Sequence, residues 1–249
     1  GRVAAGVELA ATAEYRGAEA QGGGVNELAL FAGAGGGLLA GLVLGWKTVC
    51  AVERDEFAAS VLVQRQNDRI LPAFPVWDDV FTFDGSAWRG IIDVVSGGFP
   101  CQAYSSAAAG ANVADDLWSE MRRIVADVAP RYVFAENVAR AAVDAAADDL
   151  EQMGYQTRCI ELSAKDLGAD HVRGRCWLIA YTDDPGELLR AVNAKVEVVP
   201  SMAANVWMRD PGVARVSDGL ANRMDRLKAT GNGQVPIVAI GALAALAGP

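Results

Sequence analysis

The chain has 249 residues, 52% apolar and 21% charged, with a formal net charge of −9. That length admits one large α/β domain, or one with a small appendage, and the apolar share is ample for a core. Cys50, Cys101, Cys159 and Cys176 are widely spaced and accompany a single histidine, which argues against both a zinc cluster and a disulfide framework, so no metal is expected.

No uninterrupted apolar run reaches membrane-spanning length, and the first 24 residues lack the basic start and apolar centre of a secretory signal. A cytoplasmic setting without membrane contact is therefore expected. The acidity is uneven: Gly1–Gln156 holds 11 basic and 21 acidic residues, whereas Thr157–Pro249 holds 11 and 10. A polyanion would have to approach the C-terminal part.

Residues 1–26, rich in Ala, Gly and Glu, read as a weakly structured leader. From Glu27 strands and helices alternate, the pattern of a doubly wound, mostly parallel sheet. Glu27–Ala32 is a predicted strand and Gly37–Gly45 a helix opened by glycines. Thr48–Glu53 is the second strand, and a helix follows over Asp55–Gln66. Ile91–Ser96, Arg131–Glu136, Tyr155–Leu162 and Arg175–Tyr181 are further strands, with helices over Asp116–Val128 and Ala139–Met153. Residues 27–181 thus make one α/β domain. Residues 182–217 form a small irregular insertion, and residues 218–249 return through a helix at Asp218–Ala229 and a final apolar helix opened by Pro236.

Three stretches carry chemistry. In Phe31-Ala32-Gly33-Ala34-Gly35-Gly36-Gly37, glycines follow a strand and open a helix, where backbone N–H groups receive an anionic ligand. Glu53 ends the next strand, in the place where such folds hydrogen-bond ribose hydroxyls. Counting from Gly33, the sixth place is Leu38, so the glycine spacing is not that of a dinucleotide site, and a nucleotide-dependent oxidoreductase is disfavoured. In Ser96-Gly97-Gly98-Phe99-Pro100-Cys101-Gln102, two glycines bring the backbone close to a ligand and Pro100 stiffens the turn that presents Cys101. In Phe134-Ala135-Glu136-Asn137-Val138, a carboxylate sits at the end of the neighbouring strand, a costly place unless it is paired or used.

Together these stretches resemble the cytosine-5 DNA methyltransferases, in that family's motif order, from about Leu28 to Ala239. The resemblance implies S-adenosylmethionine as methyl donor, double-stranded DNA as partner and a flipped-out cytosine as substrate. It implies a cofactor site of Phe31, Ala32, Gly33, Gly35, Gly36, Glu53, Asp79, Pro100, Leu117, Asn232 and Val235. Glu53 would hold the ribose and Asp79, rather than its neighbour Asp78, the adenine amino group. Leu117-Trp118 would flank the cofactor methionine, although helix core accounts for those two equally well. Cys101, Glu136, Arg173 and Arg175 would be catalytic. Pro100, Gln102, Ser105, Asn137 and Val138 would meet the substrate, and the loop Ala103–Ala114, with Ser105 and Ser106, would serve as a lid.

Two departures stand out. His171-Val172-Arg173-Gly174-Arg175 keeps both arginines of the family's Q-x-R-x-R pattern but has His171 in place of the glutamine. The target-recognition stretch, Thr182–Gly231, is short and lacks a good R-x-L-T-x-x-E match, so either specificity is relaxed or a partner subunit supplies it. A catalytically impaired cofactor-binding subunit, and the same chemistry on tRNA, are the alternative functions.

Overall fold

The computed structural model describes residues 24–100, 117–182 and 233–247. Residues 1–23 of the expected leader, Cys101, Gln102, Ser105, Ser106, the rest of the lid loop, the recognition stretch from 183 onward, the helix expected at Asp218–Ala229, and Asn232 lie outside the described residues. Asn26, expected in the leader, instead belongs to the first strand. Seven strands among those described form one sheet in the order β3-β2-β1-β4-β5-β7-β6. They are β1 (Asn26–Leu30), β2 (Lys47–Val52), β3 (Val76–Trp77), β4 (Val94–Gly98), β5 (Tyr132–Asn137), β6 (Gln156–Ser163) and β7 (Gly174–Tyr181). The helices are α1 (Gly36–Leu44), α2 (Glu56–Asn67), α3 (Leu117–Val128), α4 (Arg140–Gln152) and α5 (Pro236–Ala247).

The pairs from β3 through β5 are parallel, and β7 enters antiparallel between β5 and β6. The expectation of a mostly parallel α/β sheet therefore describes the structure. Two details differ from it. Strand β3, only two residues long, was not expected, because so short a run has no readable period. Strand β1 stops at Leu30 and not at Ala32, because Phe31 adopts φ 53° and leaves the extended region.

Side-chain alternation along the central strands assigns the two faces. Val133 and Ala135 of β5, with Cys176, Leu178 and Ala180 of β7, pack under α3 and α4. Tyr132 and Phe134, with Trp177, Ile179 and Tyr181, face α1 and α5. Helix α3 joins the first core through Met121, Ile124, Val125 and Val128, an i, i+3, i+4, i+7 stripe that is wholly buried. Each such side chain contributes about 1.5–3 kcal/mol of transfer free energy. Helix α5 is apolar on every side because it lies between the sheet and α1.

Glu136, two residues beyond Phe134, projects on the α5 side. Arg175, two residues before Trp177, projects on the same side. The alternation that builds the core therefore also points the charged pair toward one helix start.

Candidate active site

The cofactor side of the site begins where β1 ends. Phe31 at φ 53°, Gly33 at φ 54° and Gly35 at φ 85° turn the chain into α1. Phe31 is a bulky residue in a region that glycine prefers, a strain of about 1–3 kcal/mol held by its packing on the core. Glu53 closes this turn. Its Oε2 accepts from the Gly33 N–H at 2.6 Å and its Oε1 from the Asp55 N–H at 2.7 Å. Asp55 in turn caps α2 by accepting from Ala58 N–H at 3.1 Å.

Glu53 is thus the residue that holds the glycine loop to the start of α2. Each carboxylate oxygen retains a further acceptor position. A Cβ built on Gly33 would meet nothing within 4 Å, so the loop is open at that residue. An open glycine backed by a half-buried carboxylate with spare acceptors fits a ribose-bearing cofactor.

Asp79 lies just past β3, and β3 is tied to Glu53 by the bond from Glu53 N–H to Trp77 O at 2.9 Å. Its Oδ1 accepts from Phe81 N–H at 3.0 Å, and Asp79 is half-buried whereas Asp78 is exposed. Trp118 packs its ring on Phe99, with centroids 5.0 Å apart, and donates to Asp149 Oδ2 at 2.8 Å. Leu117, beside it, also lies against the core.

Not every glycine faces open space. Gly97 and Gly98 were expected to bring the backbone close to a ligand, yet both lie inside strand β4. A Cβ on Gly97 would sit 2.6 Å from Leu30 O, and one on Gly98 would sit 2.7 Å from Glu136 Oε2. They are small because the neighbouring strand and the Glu136 carboxylate press on them. Gly36 is the same case. A Cβ there would come to 2.0 Å from Gln234 O, so the chain's own C-terminal segment fills the space.

Strand pairing sets Gly98 of β4 opposite Glu136 of β5, and Glu136 opposite Trp177 of β7. Glu136 is 6% exposed. Burial raises its pKa, and the nearby Arg175 and Arg173 guanidiniums and a hydrogen bond from Gln234 oppose that rise. Arg175 Nε lies 2.9 Å from Glu136 Oε1, a charge-assisted contact shielded from water. Arg173 does a different job, donating from Nη2 to Gly233 O at 2.6 Å, which ties the loop before β7 to the segment before α5. Val235, in that segment, accepts from Val238 and Ala239 N–H and so starts α5.

Asn137 was expected at the substrate. It is 2% exposed, its Nδ2 donates to Phe99 O at 2.8 Å, and its Oδ1 accepts from Ala139 N–H at 2.9 Å. Both ends of its amide hold backbone. Val138 beside it is 59% exposed. Pro100 is the last described residue before Cys101 and follows the carbonyl that Asn137 holds.

Two polar residues escaped the sequence reading. Gln234 stood between the expected cofactor residues Asn232 and Val235, and its only signal was being a second amide, after Asn232, in a Gly/Val/Pro turn. Glu27, counted simply as a strand residue, is wholly buried. It accepts from Ser96 Oγ at 2.6 Å and Thr48 Oγ at 2.9 Å, and burial pushes its pKa up to about 7.

Among the described residues, no helix is long and apolar enough to cross a membrane. A mostly parallel sheet with a glycine turn after β1, an acidic residue after β2 and a buried carboxylate at the end of β5 places the chain in the doubly wound α/β class. It matches the family described as C-5 cytosine-specific DNA methylase over residues 25–210, and it belongs to that family.

Among relatives, it is similar to the Type II methyltransferase M.CviJI of Paramecium bursaria Chlorella virus IL3A, at 30% identity over 180 residues, which is 67% of this chain and 46% of the relative. It is also similar to the Type II methyltransferase M.Eco47II of Escherichia coli, at 37% identity over 118 residues, 45% of this chain and 26% of the relative. The chain therefore spans about a quarter to a half of the length of these curated relatives. Among solved structures, a variant of Spodoptera frugiperda DNMT2 shares the fold, with a TM-score of 0.53 and 19% identity over 64% of this chain and 50% of that one.

Proposed function

We propose that the chain carries the cofactor and catalytic half of a DNA (cytosine-5)-methyltransferase that uses S-adenosylmethionine. The supporting observation is the buried Glu136–Arg175 pair at the end of β5, in register with the last residue of β4, three positions before Cys101. The glycine turn and Glu53 stand on the same parallel edge.

S-adenosylmethionine, when bound, supplies an electrophilic methyl group. Phe31, Ala32, Gly33, Gly35 and Gly36 would line its site with Glu53, Asp79, Pro100, Leu117, Asn232 and Val235. Carbon 5 of cytosine is a poor nucleophile inside an aromatic ring. The Cys101 thiolate would add to carbon 6, forming the S–C bond and pushing the ring electrons toward N3 and carbon 5. Glu136 would donate a proton or hydrogen bond at N3, a role favoured by the burial that raises its pKa. Arg175 would keep Glu136 oriented and hold the base, with Arg173 nearby fastening the segment before α5 through Gly233 O. Carbon 5 would then take the methyl group as the bond from methyl to the donor sulfur breaks, the electron pair staying on sulfur in a neutral thioether. Loss of the carbon-5 proton and cleavage of the S–C6 bond restore the ring and free Cys101. The thiols of Cys159 and Cys176 are pushed up by burial, which disfavours either as an alternative nucleophile.

The reaction needs a cytosine turned out of its duplex. Gln102, Ser105 and Val138 would meet it from the mouth of the site. Residues 182–217 would choose the target sequence, alone with relaxed specificity or with a partner subunit.

Incubation with S-adenosylmethionine and DNA containing 5-fluorocytosine tests the reading, because fluorine blocks loss of the carbon-5 substituent and traps the adduct. A covalent complex present with the native chain and missing in Cys101→Ala is the expected result. No adduct on any DNA, but one on tRNA, would move the chemistry to RNA. No adduct on either, with cofactor binding intact, would assign a binding subunit.

A further inference from the structure

Gln234 touches both halves of the site at once. Its carbonyl lies against Gly36 and its Oε1 against Gly37, where a built Cβ would come to 2.4 Å. Its Nε2 faces the other way, 3.2 Å from a Cβ built on Gly98, and its amide hydrogen-bonds the Glu136 carboxylate. The residue before it is held by Arg173 through Gly233 O, and the residue after it starts α5, which packs along α1. One side chain therefore spans from the first turn of α1, which the glycine loop enters, to the buried carboxylate at the end of β5. The fit at Gly36 and Gly37 leaves no slack, so a displacement of the loop displaces Gln234.

We propose that Gln234 is a positioning residue that couples cofactor occupation of the glycine loop to the proton held by Glu136. The inference rests on the reading above that this loop binds S-adenosylmethionine. A ligand that shifts the start of α1 alters the hydrogen bond that Gln234 gives Glu136, and the coupling is necessarily mutual. The amide suits the task because it donates through Nε2 to a carboxylate and accepts through Oε1 from a carboxylic acid after a half-turn. Among the described residues, the other charged groups facing Glu136 are Arg175 on β7 and Arg173 before it, while Cys176 lies on the opposite face of the sheet. Ser96 of β4 donates to Glu27 of β1, which also packs against α1 and titrates near 7, so the pH series is run in the Glu27→Gln background; Gly98, Gly36 and Gly37 add no titrating group.

The test is calorimetric binding of S-adenosylmethionine, without DNA, across the acid-to-neutral range. The otherwise native chain is expected to change affinity by about tenfold, with proton exchange visible in buffers of different ionisation enthalpy. Gln234→Met fills the same space without a donor or acceptor and is expected to flatten that dependence, as is Glu136→Gln. Gln234→Glu keeps the oxygen beside Gly37 but adds a like charge. It is expected to move the midpoint to higher pH, and it serves if the methionine variant fails to fold. Superimposable native and variant curves would overturn the coupling while leaving cofactor binding standing. A native chain that binds no S-adenosylmethionine at any pH would overturn the cofactor reading, and the coupling with it.

Discussion

Asn137 Nδ2 donates to the carbonyl of Phe99 at 2.8 Å, joining the strand end that carries Glu136 to the turn that leads into Cys101. The bond is buried, and its partner carbonyl lies two residues before the expected nucleophile. The strand end that carries Glu136 and the turn at Phe99–Pro100 are thus tied by one amide that need not touch substrate.

Asn137→Ala removes that bond and the Oδ1 acceptor for Ala139 N–H, leaving a buried carbonyl without its partner. We expect a loss of about 1–3 kcal/mol in urea denaturation. Methyl transfer should fall further than the change in folded fraction accounts for, and Asn137→Asp should not restore it. Equal losses in stability and activity would leave Asn137 a purely structural residue.

Arg175→Ala strips the ion pair from a carboxylate that is 8% exposed at its side chain. Breaking a buried pair from one side costs about 3–5 kcal/mol. Glu136 should then hold its proton to higher pH, so the alkaline limb of the rate profile, where the donor form is lost, should move upward. Arg175→Lys keeps the charge without the planar fork and is expected to recover only part of the rate. An unmoved pH profile in Arg175→Ala would contradict this pairing.

Glu27 gives the fold a pH dependence of its own. Its pKa is near 7 in the folded chain against an ordinary value of 4.5, because burial disfavours the charged form more than Ser96 and Thr48 favour it. The folded state therefore binds the proton more tightly. Its stabilising effect is complete below the ordinary value and is lost as pH rises through about 7. Denaturation at about pH 5 and about pH 8 should differ by about 3 kcal/mol from this group. Glu27→Gln should remove that difference and be the more stable form at the higher pH, as read by thermal melts.

Gly36→Ala is expected to cost about 1–3 kcal/mol by overpacking, although Ala ordinarily favours a helix start over Gly. The added methyl would meet a backbone carbonyl, Gln234 O, which cannot rotate away as a side chain can. Gly33→Ala meets no atom, and its cost should come only from the backbone at φ 54°. The two variants, compared by melting temperature and by S-adenosylmethionine affinity, separate crowding from conformation.

The α/β alternation, the strands carrying Glu53, Glu136 and the Gly97-Gly98 pair, and the motif order were legible along the chain, because each depends on near neighbours and on a period of two or 3.6 residues. Arg175 could be read as a candidate partner for a base, but its contact with Glu136 required β7 to insert antiparallel beside β5. No local pattern encodes that insertion. The glycines mark the boundary most clearly. Sequence showed where a side chain is excluded. Only the folded chain decided that Gly36 yields to Gln234, Gly97 to Leu30 and Gly98 to Glu136, since what excludes it arrives from residues up to about two hundred positions away. Local preference is written residue by residue, whereas close contact is set by which surfaces the core brings together.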